Sequence, residues 1–226
     1  EQAMQAAANI AAAANVPEPT KVEFITFALS AMDREIKRAP DDARLRMFIG
    51  GFFNQLGHYV EALPHLEKAH ALSPHKQTIA FSLSNSYLSL GKTDEALSLM
   101  KKAFENAPKY TGARIGYAAT AIYAKQFAVA DELLASTTDV NILTDERLVK
   151  AYFKMKQIGK AISLLQQRLS ANPNDTQTHI SLAAAYIANG NRKESIDELQ
   201  KAIELNPDFK QQGEYYINEI KAGRNP

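Results

Sequence analysis

Residues 54–74, NQLGHYVEALPHLEKAHALSP, decide the reading of this chain because the stretch recurs. Residues 88–108 read LSLGKTDEALSLMKKAFENAP and residues 187–207 read IANGNRKESIDELQKAIELNP. In each, a glycine is followed five residues on by a small residue and seventeen on by a proline. Glycine can end a helix in the left-handed conformation and proline cannot continue one, so the pair brackets a helix of about four turns. Such a helix needs a partner for its apolar stripe, which makes the bracket the second half of a helical hairpin.

The prolines carry the period outward. Pro40, Pro74 and Pro108 are 34 residues apart, as are Pro173 and Pro207. At 226 residues the chain could form one or two globular domains, but a fixed period overrides that prior and argues for a stacked array of hairpins. From Pro108 to Pro173 there are 65 residues where two periods need 68, so about one helical turn is missing. The gap falls around Ser136 to Asn141, and Thr144 is expected to cap the helix that follows.

Copy by copy, these residues resemble the tetratricopeptide repeat, whose signature runs through a Leu-Gly step and an aromatic residue to Ala, a large apolar residue and Pro. The first copy has Ile49-Gly50, Phe53, Ala62, Leu66 and Pro74; the second has Leu83-Ser84, Tyr87, Ala96, Met100 and Pro108. The fifth has Leu182-Ala183, Tyr186, Ser195, Leu199 and Pro207. Between them, Tyr117-Ala118, Ala121, Ala130 and Leu134 form a degenerate third copy, and Leu148-Val149, Tyr152, Ala161, Leu165 and Pro173 form a fourth. All five lack the first-helix Trp.

Small residues are expected where the two helices of a hairpin cross, with Gly50, Ser84, Ala118 and Ala183 facing Ala62, Ala96, Ala130 and Ser195. Val149 breaks that rule and predicts a wider crossing in the fourth copy. Pro64 lies inside a helix near its start, where its missing donor predicts no more than a slight bend.

The resemblance implies an all-α, TPR-type α-solenoid, a right-handed superhelix of antiparallel helix pairs with about 12–13 helices. The expected organisation is an N-terminal helical pair at 1–40, five repeats at 41–74, 75–108, 109–141, 142–173 and 174–207, and a capping helix and tail at 208–226. In the N-terminal segment, Thr20 and Glu23 sit at capping-box spacing before a helix that Pro40 closes after Arg38. Val22, Ile25, Leu29, Met32 and Ile36 form one stripe of it, and Phe24 and Phe27 a second, as for a helix packed on two sides. At the other end, Phe209, Tyr216, Ile217 and Ile220 predict a helix that covers the last repeat, and residues 222–226 are expected to fray.

In the family, first helices of successive repeats line a concave surface. The resemblance carries the ligand-facing positions onto Arg44, Met47, Gly51, Asn54 and Gln55 in the first copy and Thr78, Phe81, Asn85, Leu88 and Ser89 in the second. The third gives Ile115, Ala119, Ile122 and Tyr123, the fourth Glu146, Lys150, Phe153 and Lys154, and the fifth Gln177, Ile180, Ala184 and Ile187. Only Asn85 echoes the basic and amide set with which chaperone-binding members hold a C-terminal carboxylate. The floor at Phe81, Leu88, Ile115, Ile122 and Tyr123 suits an amphipathic helix or an apolar segment of a protein or peptide partner.

Two further segments, residues 72–83 and 206–226, are similar to the C-terminal repeat region of some bacterial O-antigen ligase/polymerase family membrane proteins. That likeness implies a soluble appendage of a membrane enzyme, bacterial and tethered to the cytoplasmic membrane through upstream sequence; no catalytic residue carries over. The chain opens on Glu1 rather than Met, which fits a piece of a longer protein.

Composition narrows the chemistry. The net charge is +1 with acids and bases interspersed, which argues against nucleic acid as a partner. There is no cysteine, and no run of about eighteen strongly apolar residues that could span a bilayer. Residues 1–14 are Ala-rich and lack the basic lead and Leu-rich core of a secretory signal.

Gly91-Lys92-Thr93 resembles the end of a phosphate-binding loop, but Ser86 stands where that motif needs glycine. His58, His65, His70 and His75 crowd into one stretch without the i, i+4 spacing of a zinc helix. Ser98 and Lys101 have a spacing common on any helix, and Asn174-Asp175-Thr176 is read as a helix cap at Asp175 rather than a glycosylation sequon. No acid/base pair emerges, so neither a catalytic residue nor a cofactor is expected.

Overall fold

A computed structural model describes residues 6–7, 9–11, 13–135, 139, 142 and 144–225. Among them the structure is entirely helical, with twelve α-helices of defined bounds and one short 3-10 turn. Two compact units divide the chain, residues 1–124 and 125–226.

The first unit holds α1 (Glu18–Arg38), α2 (Ala43–Gln55), α3 (Tyr59–Leu72), α4 (Gln77–Ser89), α5 (Thr93–Asn106) and α6 (Thr111–Tyr123). Each helix packs against the next from α1 to α6, and α2 also touches α4 and α4 touches α6, so the first helices of the hairpins form one layer. Met32 and Ile36 of α1 bury against Ile49 and Phe52 of α2, with Ala7 in the same cluster. Ala62 and Leu66 of α3, Leu83 of α4 and Met100 of α5 form the next cluster. Gly50 shows why small residues are needed at the crossing, since a Cβ there would lie 2.5 Å from Leu66 Cγ and 3.2 Å from the Ala62 carbonyl oxygen. The helix α3 passes through Pro64 without interruption.

The second unit holds α7 (Phe127–Ala135), α8 (Glu146–Lys154), α9 (Ile158–Ala171), α10 (Thr176–Ala188), α11 (Arg192–Leu205), the 3-10 turn Pro207–Phe209 and α12 (Lys210–Lys221). Phe209, Ile217 and Ile220 bury against Ala183, Leu199 and Ala202, so α12 covers the last hairpin.

The turns inside the hairpins share one device. Gly57, Gly91, Lys125, Lys156 and Gly190 all have positive φ, and their spacings are 34, 34, 31 and 34 residues. The three-residue deficit therefore lies between Lys125 and Lys156. There α7 ends after nine residues and α8 has nine, where α3, α5, α9 and α11 have fourteen and α2, α4, α6 and α10 have thirteen. Of the segment Ser136 to Asn141, all but Asp139 lies outside the described residues.

Four expectations need correction. The cap of α8 is Asp145, whose carboxylate accepts from the Arg147 backbone N–H at 2.9 Å, one residue later than Thr144. The Thr20/Glu23 capping box does not form, because α1 begins at Glu18, and Pro19 in its first turn, with φ preset for a helix, puts the start ahead of Thr20. Packing of α1 is one-sided: Ala28, Met32 and Ile36 are buried, while Val22, Phe24 and Phe27 remain exposed, Phe27 at 61%.

The fourth correction concerns the tail. The Arg192 guanidinium donates to the carbonyls of Ile220 (3.2 Å), Gly223 (2.9 Å) and Arg224 (3.1 Å), and Arg224 pairs with Glu219 at 2.6 Å. Carbonyls left over at the end of α12 thus find a cationic donor on α11, which ties residues 223–225 down.

Candidate functional site

In the second unit, α8 and α10 border a cleft of about 440 Å³. Asp145 sets where α8 starts; burial alone would raise its carboxyl, but hydrogen bonds from the Arg147 side chain and backbone, and then the charges of Arg147 and Arg168, hold it below the usual carboxylate range. One turn on, Lys150 donates to Glu146 at 2.8 Å. Glu146, Lys150 and Phe153 from α8 and Gln177 and Ala184 from α10 line the cleft together. These are five of the eight positions that the resemblance marked as ligand-facing in the fourth and fifth copies; Lys154, Ile180 and Ile187 do not line this cleft. Val149, larger than its counterparts in the other hairpins, lines it as well.

Arg168 of α9 also lines this cleft and is 8% exposed. Burial pulls its guanidinium below the ordinary range, and the charges of Glu146, Asp145 and Asp175 oppose that. The cleft therefore offers a hydrophobic ring, a lysine and a set of hydrogen-bonding groups with the charges already balanced. That suits a peptide backbone and mixed side chains better than a single ion.

On its other flank α10 lines an apolar cavity of about 300 Å³ with Ile180, Ala184 and Ile187, closed by Tyr216 and Ile220 of α12. Ser195 Oγ is buried there with no hydrogen-bond partner among the described residues, at the position where four hairpins carry alanine.

In the first unit, the candidate positions of α2 and α4 lie side by side, with Thr78 Oγ1 3.6 Å from Met47 Sδ. Arg44, Gln55, Thr78 and Asn85 are exposed; Met47, Leu88 and Tyr123 are half-buried. Phe81 is half-buried too, stacked on Tyr110 with ring centroids 6.5 Å apart and close to Gly116, where a Cβ would meet its ring at 2.9 Å. Asn54 is spent on structure, donating to the Ser82 carbonyl at 2.8 Å and accepting from Ser86 at 2.7 Å.

Ile115 and Ile122 are corrected here. At 3% and 0% exposure they are core, because α6 is apolar almost all round and is packed on more than one side. Lys154 is exposed and does not line the cleft that takes Lys150.

The histidines divide by environment. His58 and His75 are exposed, and His65 and His70 are half-buried with their imidazoles lowered, mainly by burial. Among the described residues no three His, Cys, Asp or Glu side chains are arranged to hold a metal ion. Gly91 takes the hairpin turn at φ 74°, and Lys92 lies over the Tyr87 ring.

Sequence reasoning passed over the fifth histidine. His179 is 5% exposed, its Nδ1 lies 2.5 Å from Glu198 Oε2, and its Nε2 lies 2.9 Å from the Pro173 carbonyl. The pair sits in a cleft of about 560 Å³ between α9, α10 and α11. No local sequence rule links residues 19 apart, and the first hairpin has a different pair at that spacing, with Arg46 Nη1 3.4 Å from His65 Nδ1.

Known proteins resemble the chain as follows. A profile described as Tetratricopeptide repeat matches residues 147–214, and a second of the same description matches residues 27–76. A profile described as Anaphase-promoting complex, cyclosome, subunit 3, matches residues 55–137. The BBSome complex member BBS4 homolog of Drosophila melanogaster is 24% identical over 220 residues, covering 91% of this chain and 45% of that protein. Cellulose synthase operon protein C of Pseudomonas fluorescens is 26% identical over 165 residues, covering 67% of this chain and 13% of that protein. The chain thus spans less than half the length of these curated relatives.

Among solved structures, the C-terminal part of a TPR repeat-containing protein from Cytophaga hutchinsonii superposes with a TM-score of 0.57 at 16% identity, over 88% of this chain and 84% of that one. MamA superposes with a TM-score of 0.50 at 20% identity, over 75% of this chain and 94% of that one. At these identities the likeness is one of fold.

Proposed function

We propose, from the premise that the chain is built of tetratricopeptide repeats, that it is a non-catalytic scaffold holding a protein or peptide segment along α8 and α10. One observation carries the reading: five of the eight residues that the resemblance to tetratricopeptide repeats marks as ligand-facing in the last two copies, Glu146, Lys150, Phe153, Gln177 and Ala184, line a single cleft. The apolar cavity beside Ile180 and Ile187 adds a place for one hydrophobic side chain of an amphipathic segment. We read the repeats of the chain as 41–74, 75–108, 109–141, 142–173 and 174–207, of which the last two build this surface.

The test is selection of peptides from a displayed library on the intact chain, followed by calorimetric titration. Phe153→Ala with Lys150→Ala is expected to weaken the selected peptides on the order of tenfold or more, as for loss of an aromatic anchor. Equal affinity for parent and variant would remove the α8–α10 cleft. Phe81→Ala with Tyr123→Ala asks the same of the first unit.

A second reading, a repeat appendage of a membrane glycopolymer ligase or polymerase, rests on the sequence resemblance of residues 72–83 and 206–226 alone. Sequencing the reading frame upstream of Glu1 decides it: absence of several membrane-length apolar segments would discard this reading.

A further inference from the structure

The two units contain the same cleft twice, furnished differently. Gly91 and Gly190 are equivalent turn residues 99 positions apart, and that offset also maps Pro74 onto Pro173, Lys102 onto Lys201 and Leu99 onto Glu198. In the second unit the cleft supplies its own anion, for Glu198 Oε1 accepts from Lys201 Nζ at 3.0 Å while Oε2 faces His179. In the first unit the equivalent cleft, of about 260 Å³ between α3, α4 and α5, has Leu99 at that place.

Lys102 therefore faces no carboxylate from its own hairpin. Lys76, His70 and His75 line the same cleft, together with Gln77 and Asn106, and no Asp or Glu does. Neither Lys76, Lys102 nor His75 makes an ion pair among the described residues, and His70 Nδ1 is buried there without a hydrogen-bond partner. Burial lowers the His70 imidazole first, and the charges of Lys102 and His75 lower it further. Gln77 opens α4, whose N-terminus has no side-chain cap and adds its positive end to the same wall.

We propose that this first-unit cleft binds a carboxylate side chain of an acidic peptide segment, in the place that Glu198 fills in the second unit. Carboxylate is the chemistry the fold already uses at this position, where a lysine amine and an imidazole converge on it. Ala80, Pro74 and Leu99 provide the apolar wall along which the methylenes of a glutamate can lie. This site is separate from the α8–α10 cleft.

Nuclear magnetic resonance titration of the intact chain tests it, with a terminally blocked Gly-Glu-Gly-Glu-Gly peptide, its glutamine counterpart and inorganic phosphate as separate probes. Saturable shifts of the His70, His75 and Lys102 signals are expected with the glutamate peptide and not with the glutamine one. Lys102→Gln should weaken that binding on the order of tenfold, the loss of one charge-assisted contact. Leu99→Glu should abolish it by supplying the carboxylate internally, and Leu99→Gln should retain it. Absence of saturation with the glutamate peptide, or unchanged affinity in Lys102→Gln, would overturn the proposal. Saturation by phosphate alone would overturn the carboxylate assignment. Lys102 and His75 lie at the surface, so Lys102→Gln and His75→Gln decide the matter if the Leu99 variants fail to fold.

Discussion

Glu198 lies 2.5 Å from His179 across the hairpin of α10 and α11, and the imidazole's second nitrogen lies 2.9 Å from the Pro173 carbonyl. Removing one member leaves the other buried and unmatched. Glu198→Ala should cost about 3–5 kcal/mol in urea unfolding. The double change His179→Ala with Glu198→Leu installs the Ala80 and Leu99 of the second hairpin and should recover to within about 1–2 kcal/mol of the parent. A double variant as unstable as the single one would show that the pair is not the source of the loss.

Adjacent glycines in α2 should respond with opposite signs. A Cβ at Gly50 would lie 2.5 Å and 2.8 Å from Leu66 side-chain atoms, whereas one at Gly51 meets nothing within 4 Å. Gly51→Ala should stabilise by about 0.5–1 kcal/mol through helix propensity. Gly50→Ala gains the same propensity but separates α2 from α3, a net loss of about 1–3 kcal/mol. Thermal unfolding of the two variants side by side checks this, and like signs would refute the close crossing.

The hairpin array and its turns were legible because a glycine, a small residue and a proline at fixed offsets each answer to backbone geometry. Exposure was not, since it depends on what covers a position. Ile122 of α6 and Phe153 of α8 occupy the same register, yet the first is 0% exposed and the second lines an open cleft. Ile115 and Glu146 are a second such pair, one core and one cleft wall. Capping misled in a different way: Thr144 and Asp145 both have cap chemistry, and hydrogen-bond geometry chose Asp145. The His179–Glu198 contact is written in two residues 19 apart, a distance at which no local rule operates.

Asp145 should make the second unit sensitive to acid. Its carboxyl is depressed in the folded chain, so the stability it adds is present above the unfolded value of about 4 and fades as pH falls through the lower folded value. Asp145→Ala should cost about 1–2 kcal/mol at neutral pH, the ordinary loss of a helix cap. The gap between parent and variant should close below about pH 4 in urea unfolding measured across pH. A gap that stayed constant into strong acid would mean the carboxylate is not the cap.

Lys125 and Lys156 hold φ of 60° and 56° at the turn where the other three hairpins have glycine. A side chain in the left-handed region costs about 1–2 kcal/mol, while glycine returns about 0.4–1 kcal/mol of that through the freer unfolded chain. Lys125→Gly and Lys156→Gly should therefore each stabilise by about 0.5–1 kcal/mol. Lys→Ala at either site keeps the Cβ and should give no such gain, which separates backbone strain from loss of charge. The two lysines bracket the shortened α7 and α8, so relief of strain should raise the unfolding midpoint of the second unit. A stabilisation equal in the alanine and glycine variants would place the effect in the lysine charge instead.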